Sequence, residues 1–134
     1  MAFPPEFITR TKAIMGDEYD QLAEALLADS PVSIRMNRKK SNHVPSGEPV
    51  SWCETGYYLP ERLSFTFDPL FHAGVYYVQE ASSMFLEQAI KQHVASPVVC
   101  LDLCASPGGK STHLLSVLPE RSLMVSNEII RTRS

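Results

Sequence analysis

Apolar and polar positions follow three different rhythms along this chain. The first thirty residues have a helical one: Phe7, Ile8, Thr11, Ile14 and Met15 share a face, and Tyr19, Leu22, Ala23, Leu26 and Leu27 repeat the spacing. Two short helices are predicted. Pro4 and Pro5 suit a helix start, Gly16 a C′ position and Asp17 the cap of the second helix, which Pro31 closes off. The rhythm then shortens to two, because Val32-Ser-Ile-Arg-Met-Asn37 alternates apolar with polar residues as a half-buried strand does. Residues 41–49 have turn composition and make the best internal linker. Residues 50–59 and 64–67 read as strands ended by Pro60 and by Asp68-Pro69. Residues 74–78 are extended and lead into a helix on which Ala81, Met84, Phe85 and Ala89 share a face.

The third rhythm is no alternation at all. Residues 98–103, Val-Val-Cys-Leu-Asp-Leu, are apolar almost throughout, as expected of a parallel strand covered on both faces. A turn at 106–109, a helical run at 110–118, a break at Pro119 and a second apolar strand at 123–125 follow, ending in Asn127 and Glu128. That order is one βαβ unit, which needs about 30 residues. The predicted fold class is α/β: an α+β module over residues 1–90, then, over 91–134, the opening βαβ of a Rossmann-like sheet.

Composition narrows the function classes. Of 134 residues, 44% are hydrophobic and 20% charged, which excludes a disordered or collagen-like chain. No apolar stretch approaches the roughly 18 residues of a membrane span, and the start has no signal-peptide pattern, so a soluble cytoplasmic protein is expected. Fifteen acids against twelve bases give a net charge of −3, so any nucleic-acid contact has to be local. Residues 17–29 carry five acids and no base, whereas 31–43 carry Arg35, Arg38, Lys39 and Lys40 and no acid. This run is either a solvated face or a patch that grips an RNA backbone. Cys53, Cys100 and Cys104 form no Cys-x-x-Cys pair and read as reduced thiols. In a strand, Cys100 and Cys104 stand about 13 Å apart, too far for one zinc ion. No metal is expected, and His43, His72, His93 and His113 read as scattered surface residues.

Three nucleotide-site patterns compete for residues 102–110. Gly109-Lys110-Ser111 ends a Walker A loop, but its opening glycine falls on Cys104, which disfavours a nucleotide-hydrolysing domain. A dinucleotide fingerprint needs three spaced glycines, and only Gly108-Gly109 is offered. S-adenosylmethionine (SAM), which has no phosphate, fits better: two glycines permit close backbone approach, a helix start faces its carboxylate, and Glu128 lies where an acid meets a ribose.

The segment Leu101-Asp-Leu-Cys-Ala-Ser-Pro-Gly-Gly-Lys-Ser-Thr112 closely resembles motif I of the Sun family of RNA cytosine-5 methyltransferases. Pro31-Val-Ser-Ile-Arg-Met-Asn37 resembles the family's Arg-x-Asn strand, and Tyr76-Tyr-Val-Gln-Glu-Ala-Ser-Ser-Met84 its motif X. Pro49-Val-Ser-Trp-Cys-Glu-Thr-Gly56 resembles the branch that acts on bacterial small-subunit ribosomal RNA. Ser106, Ser111 and Glu128 are mild departures. The resemblance implies SAM-dependent methylation of C5 of a cytidine in RNA, with the N-terminal module binding that RNA. Cys104, Ala105, Ser106, Pro107, Gly108, Gly109 and Lys110 would line the amino-acid end of SAM, and Glu128 would hold its ribose. Gln79 and Glu80 either approach the cofactor or simply begin a helix. The family's two catalytic cysteines have no match here, since neither Cys53 nor Cys104 stands in their sequence contexts. The chain is therefore expected to be a truncated part of a longer enzyme, inert alone and prone to self-association through an exposed sheet edge. The competing reading is a non-catalytic RNA-binding module.

Overall fold

The computed structural model describes residues 3–132. The chain divides into two compact units, one reaching to Pro31 and the other starting at Val32. The first holds helices α1 (Pro5–Met15) and α2 (Tyr19–Leu27), joined by a 3-10 turn over Gly16–Glu18. Pro5 opens α1, where a missing N–H costs nothing, and Gly16 ends it at φ 55°. Asp17 does not cap α2: it lies inside the 3-10 turn, whose backbone is already helical when α2 begins. Within this unit the Lys12 ammonium stands 4.9 Å from the centre of the Tyr19 ring.

The second unit opens with a four-stranded antiparallel sheet of β1 (Val32–Met36), β2 (Glu48–Pro49), β3 (Gly56–Leu59) and β4 (Tyr76–Val78) in the order β2-β3-β1-β4. Ile34 lies opposite Tyr57 on one side and Val78 on the other, and Met36 lies opposite Tyr76. Ile34, Met36, Tyr57 and Tyr76 form a buried core, with Phe65 and Phe71 packed on it. The short helix α3 (Pro69–His72) precedes β4 and is capped by Asp68, which accepts the Leu70 amide at 2.8 Å.

Four sequence expectations change here. β1 is buried on both faces rather than one: Ser33 and Arg35 are as enclosed as Ile34, because β1 is central and a second layer covers its polar face. Residues 50–55 form a turn instead of a strand, held by the Val50 amide on the Gly56 carbonyl (2.9 Å) and the Cys53 amide on the Val50 carbonyl (3.0 Å). The Trp52 indole donates to the Ala81 carbonyl at 2.7 Å, and Val50, Cys53, Ala81 and Met84 make a second buried cluster. The expected strand at 64–67 is a 3-10 turn, Phe65–Phe67, that sends Phe65 edge-on to Tyr76 and leaves Phe67 outside. Alternating aromatics cannot by themselves distinguish a strand from such a turn. The helix expected from Ala81 starts as a 3-10 turn, Ser82–Phe85, before α4 (Leu86–His93). That tighter winding separates buried Met84 from exposed Phe85.

The chain then forms β5 (Val99–Asp102), α5 (Gly109–Val117) and β6 (Leu123–Ser126). β5 and β6 pair in parallel, Val99 beside Leu123 through Asp102 beside Ser126, so the architecture is α/β as read from the pattern. The expected two-sided cover is not present among the described residues. Cys100 and Met124 are half-buried, whereas Val99 and Leu101 are exposed.

Candidate functional site

The loop between β5 and α5 is tied at both ends by one carboxylate. Asp102 accepts the Cys104 amide on Oδ1 at 3.1 Å and the Ser111 hydroxyl on Oδ2 at 2.7 Å. Asn127 stitches the next strand's end to it: its amide donates to the Asp102 carbonyl (2.8 Å), its carbonyl accepts the Ala105 amide (2.9 Å), and its side chain donates to the Leu103 carbonyl (3.1 Å). Glu128 then accepts the Ser106 amide on Oε2 at 3.1 Å and the Ile130 amide on Oε1 at 2.8 Å. Gly108 sits at φ +100°, a backbone that side-chain-bearing residues rarely adopt, and a Cβ there would meet nothing within 4 Å. The loop therefore presents bare backbone to open space beside an acid. Cys104, Pro107 and Lys110 are exposed, and Ala105, Ser106 and Glu128 are half-buried.

The antiparallel sheet supports this loop from behind. The Tyr77 hydroxyl donates to the Pro107 carbonyl at 3.1 Å, and a Cβ on Gly109 would press to 3.2 Å from the Tyr77 ring, so glycine permits the close approach. Arg35 donates from Nε to Gln79 Oε1 (2.8 Å) and from Nη2 to Thr112 Oγ1 (2.7 Å) and the Gly109 carbonyl (3.5 Å). Burial lowers its pKa, since a cation is disfavoured away from water. The basic run, read as either a solvated face or an RNA patch, is thus divided in its surroundings. Arg35 is enclosed, Arg38 turns to the Tyr57 hydroxyl (2.9 Å) and the His43 carbonyl (3.2 Å), and Lys39 and Lys40 are exposed. A wholly solvated face is ruled out for Arg35 by its burial. Gln79 is spent on Arg35, and the Glu80 carbonyl accepts the Ser83 hydroxyl at 2.8 Å in the helix-entry turn.

The family model for the N-terminal domain of 16S rRNA methyltransferase RsmF matches residues 3–81. The chain belongs to this family. It is 33% identical to ribosomal RNA small subunit methyltransferase F of Vibrio atlanticus over 97% of this chain and 31% of that protein. The protein of the same name from Pectobacterium atrosepticum is 31% identical, over 98% of this chain and 31% of its own length. The solved structure of a methyltransferase homolog protein from Pyrococcus horikoshii superposes with a TM-score of 0.75 at 25% identity, covering 98% of this chain and 46% of that one. The chain therefore spans about a third of the length of these RsmF relatives. The family match agrees with the resemblance read from the motifs. The glycine loop and Glu128 lie beyond the 3–81 match but inside the longer alignments.

One cluster in this RsmF-family chain was not foreseen from its sequence. His113, expected on the surface, is 1% exposed because α5 packs against α4, and its Nε2 lies 3.0 Å from Glu87 Oε2 and 3.9 Å from Cys53 Sγ. Thiol, carboxylate and imidazole all lie within 4.8 Å of one another, a donor set of metal-ligand type. Glu87 is already occupied, since Oε1 accepts Lys91 at 2.8 Å and the Glu54 amide at 3.4 Å. Burial would raise the Glu87 carboxyl, but the hydrogen bonds from Lys91, His113 and Cys53 prevail and hold it near 2. Burial lowers His113 and raises Cys53, so neutral imidazole and thiol surround one carboxylate. His113 Nδ1 is buried without a partner. The arrangement is a hydrogen-bonded knot pinning α4, α5 and the 50–55 turn together. The one sequence hint of it was Glu87 and Lys91 at i, i+4 spacing. Tyr77, inside a recognised motif, was likewise missed as a loop support because Pro107 lies 30 positions away, and Asp102 was missed although Cys104 and Ser111 stand only 2 and 9 positions from it.

Proposed function

We propose that this chain carries the SAM-binding loop and part of the RNA-binding surface of an enzyme that methylates C5 of a cytidine in small-subunit ribosomal RNA. The observation that carries the reading is the meeting of the 104–110 loop with Glu128 through the Ser106 amide, beside open space in front of Gly108. The residues fit SAM in kind: backbone without Cβ where the ligand lies against the main chain, first-turn amides of α5 toward a carboxylate, and Glu128 toward ribose hydroxyls. Cys104, Ala105, Ser106, Pro107, Gly108, Gly109 and Lys110 would line it, and Arg38, Lys39 and Lys40 would face RNA. When bound, SAM supplies the electrophilic methyl group. C5 of cytosine is a poor nucleophile until a thiolate adds at C6. Cys53 cannot be that thiolate, because it is buried, raised in pKa and hydrogen-bonded into the Glu87 knot. Cys104 belongs to the loop itself, so the chain alone is expected to be inert.

The test is methyl transfer from radiolabelled SAM to unmodified small-subunit ribosomal RNA, with the modified nucleoside read by mass spectrometry. A longer protein containing this chain is expected to yield 5-methylcytidine, and residues 1–134 alone none. A different modified nucleoside, or turnover by residues 1–134, would refute the reading.

A further inference from the structure

Between the antiparallel sheet and α5 lies an open cleft of about 410 Å³, separate from the Gly108 side of the loop. Its lining includes Arg35, Lys39 and Lys40 together with Asn37, Thr112 and Ser116, and no acid. In a chain with more acids than bases, three cations around one concavity without a carboxylate is a local inversion of charge. Its floor is the unusual part. Arg35 is 3% exposed, yet its three acceptors, Gln79 Oε1, Thr112 Oγ1 and the Gly109 carbonyl, are all neutral. No ion pair holds it among the described residues. Buried guanidinium groups ordinarily face a carboxylate or a phosphate, because a charge taken from water needs its counterion. Glu87, the carboxylate that acts on it electrostatically, is bound by Lys91 and His113.

We propose that this cleft binds a backbone phosphate of the RNA, with Arg35 on its floor and Lys39 and Lys40 at its rim. Thr112 and Ser116 form the α5 side, their hydroxyls donating to the Gly108 carbonyl (2.7 Å) and the His113 carbonyl (2.6 Å), and Lys39, whose Nζ lies 3.5 Å from the Leu115 carbonyl, already leans across to that helix. Arg38 is not part of the cleft. The proposal rests on the reading of the chain as an RNA-binding part of a methyltransferase and gives that RNA a path along α5, next to the loop assigned to SAM. The Arg35 bond to Thr112 ties the phosphate-binding cation of β1 to the helix that the SAM loop opens.

The experiment is fluorescence anisotropy of a labelled single-stranded RNA of about 20 nucleotides, titrated with the chain over a series of salt concentrations, since each lost phosphate contact lowers the magnitude of the log–log salt slope by about 0.7 for single strands. Lys39→Ala/Lys40→Ala is expected to lower it by about 1.4, two contacts' worth, and to weaken binding of all sequences alike. Arg62→Ala, an exposed cation outside the cleft, is expected to leave the slope unchanged. Arg35→Gln is expected to remove one more contact, and because that side chain is buried, the exposed double variant decides if Arg35→Gln unfolds. Wild-type chain that binds RNA with a slope unaltered in the double variant would overturn the cleft and leave the RNA reading standing. Wild-type chain that fails to bind RNA at low salt would overturn both.

Discussion

The two sheets of this molecule use the same kinds of side chain to different ends. In the antiparallel sheet, Ile34, Met36, Tyr57 and Tyr76 are 2–9% exposed, closed in by Phe65 and Phe71. In the parallel pair, Val99, Leu101, Leu123 and Val125 are 48–77% exposed, although they are equally apolar. The difference is one of layers. The antiparallel sheet has Phe65 and Phe71 on one face and the 50–55 turn cluster and α5, through Arg35 and Thr112, on the other, whereas in the parallel pair Cys100 and Met124 are half-buried on one face and Val99, Leu101, Leu123 and Val125 are exposed on the other. Apolar strand sequence predicts that a face seeks cover and says nothing about where that cover comes from. The region with the finished core supports the glycine loop, and the region with the open face carries it.

That contrast makes its largest prediction in stability. Met36→Ala is expected to cost about 2 to 5 kcal/mol, because it leaves a cavity in a closed core, whereas Leu101→Ala should stay within about 0.5 kcal/mol. Urea unfolding of both variants measures this, and equal losses would erase the distinction. Next in size is acid sensitivity of the knot that joins the regions. Folding lowers the His113 pKa from 6.5, so the unfolded chain takes up a proton that the folded one resists. Stability is therefore full above about 6.5 and falls as the pH drops below it. Glu87, held near 2, extends the loss: its contribution is present above the ordinary value of 4.5 and fades as the pH falls toward 2. Melting temperature against pH should bend in both windows, and His113→Gln should flatten the upper one alone.

A smaller effect sharpens the account of the open face. Leu101→Lys with Leu123→Lys is expected to reduce self-association in sedimentation velocity, since an uncovered apolar parallel face invites a second copy. Monodisperse wild-type chain would show that the face needs no cover. The smallest effect concerns the junction: Tyr77→Phe removes the hydrogen bond to the Pro107 carbonyl and should cost about 1 kcal/mol.

Local patterns carried much of this fold. α1, α2, the strand at 32–36 and the βαβ unit follow from periodicity and turn residues, and the glycine loop was legible because its chemistry needs contiguous residues. What escaped was decided by partners far along the chain. Arg35 alternates like a solvent-facing residue and is buried because Thr112, 77 positions later, lies above it. His113 looks like any surface histidine until α4 brings Glu87 to it. Residues 64–67 have strand-like chemistry, but the turn they form is set by the aromatic core beneath.

The central claim is that the 104–110 loop and Glu128 form one SAM site, and isothermal titration with S-adenosylhomocysteine tests it most directly. Wild-type chain is expected to bind, Gly108→Val to lose binding because φ +100° strains a branched residue and its side chain would occupy the open space where SAM would lie, and Glu128→Ala to bind more weakly. Equal affinity for wild type and Gly108→Val, with both folded by circular dichroism, would contradict it.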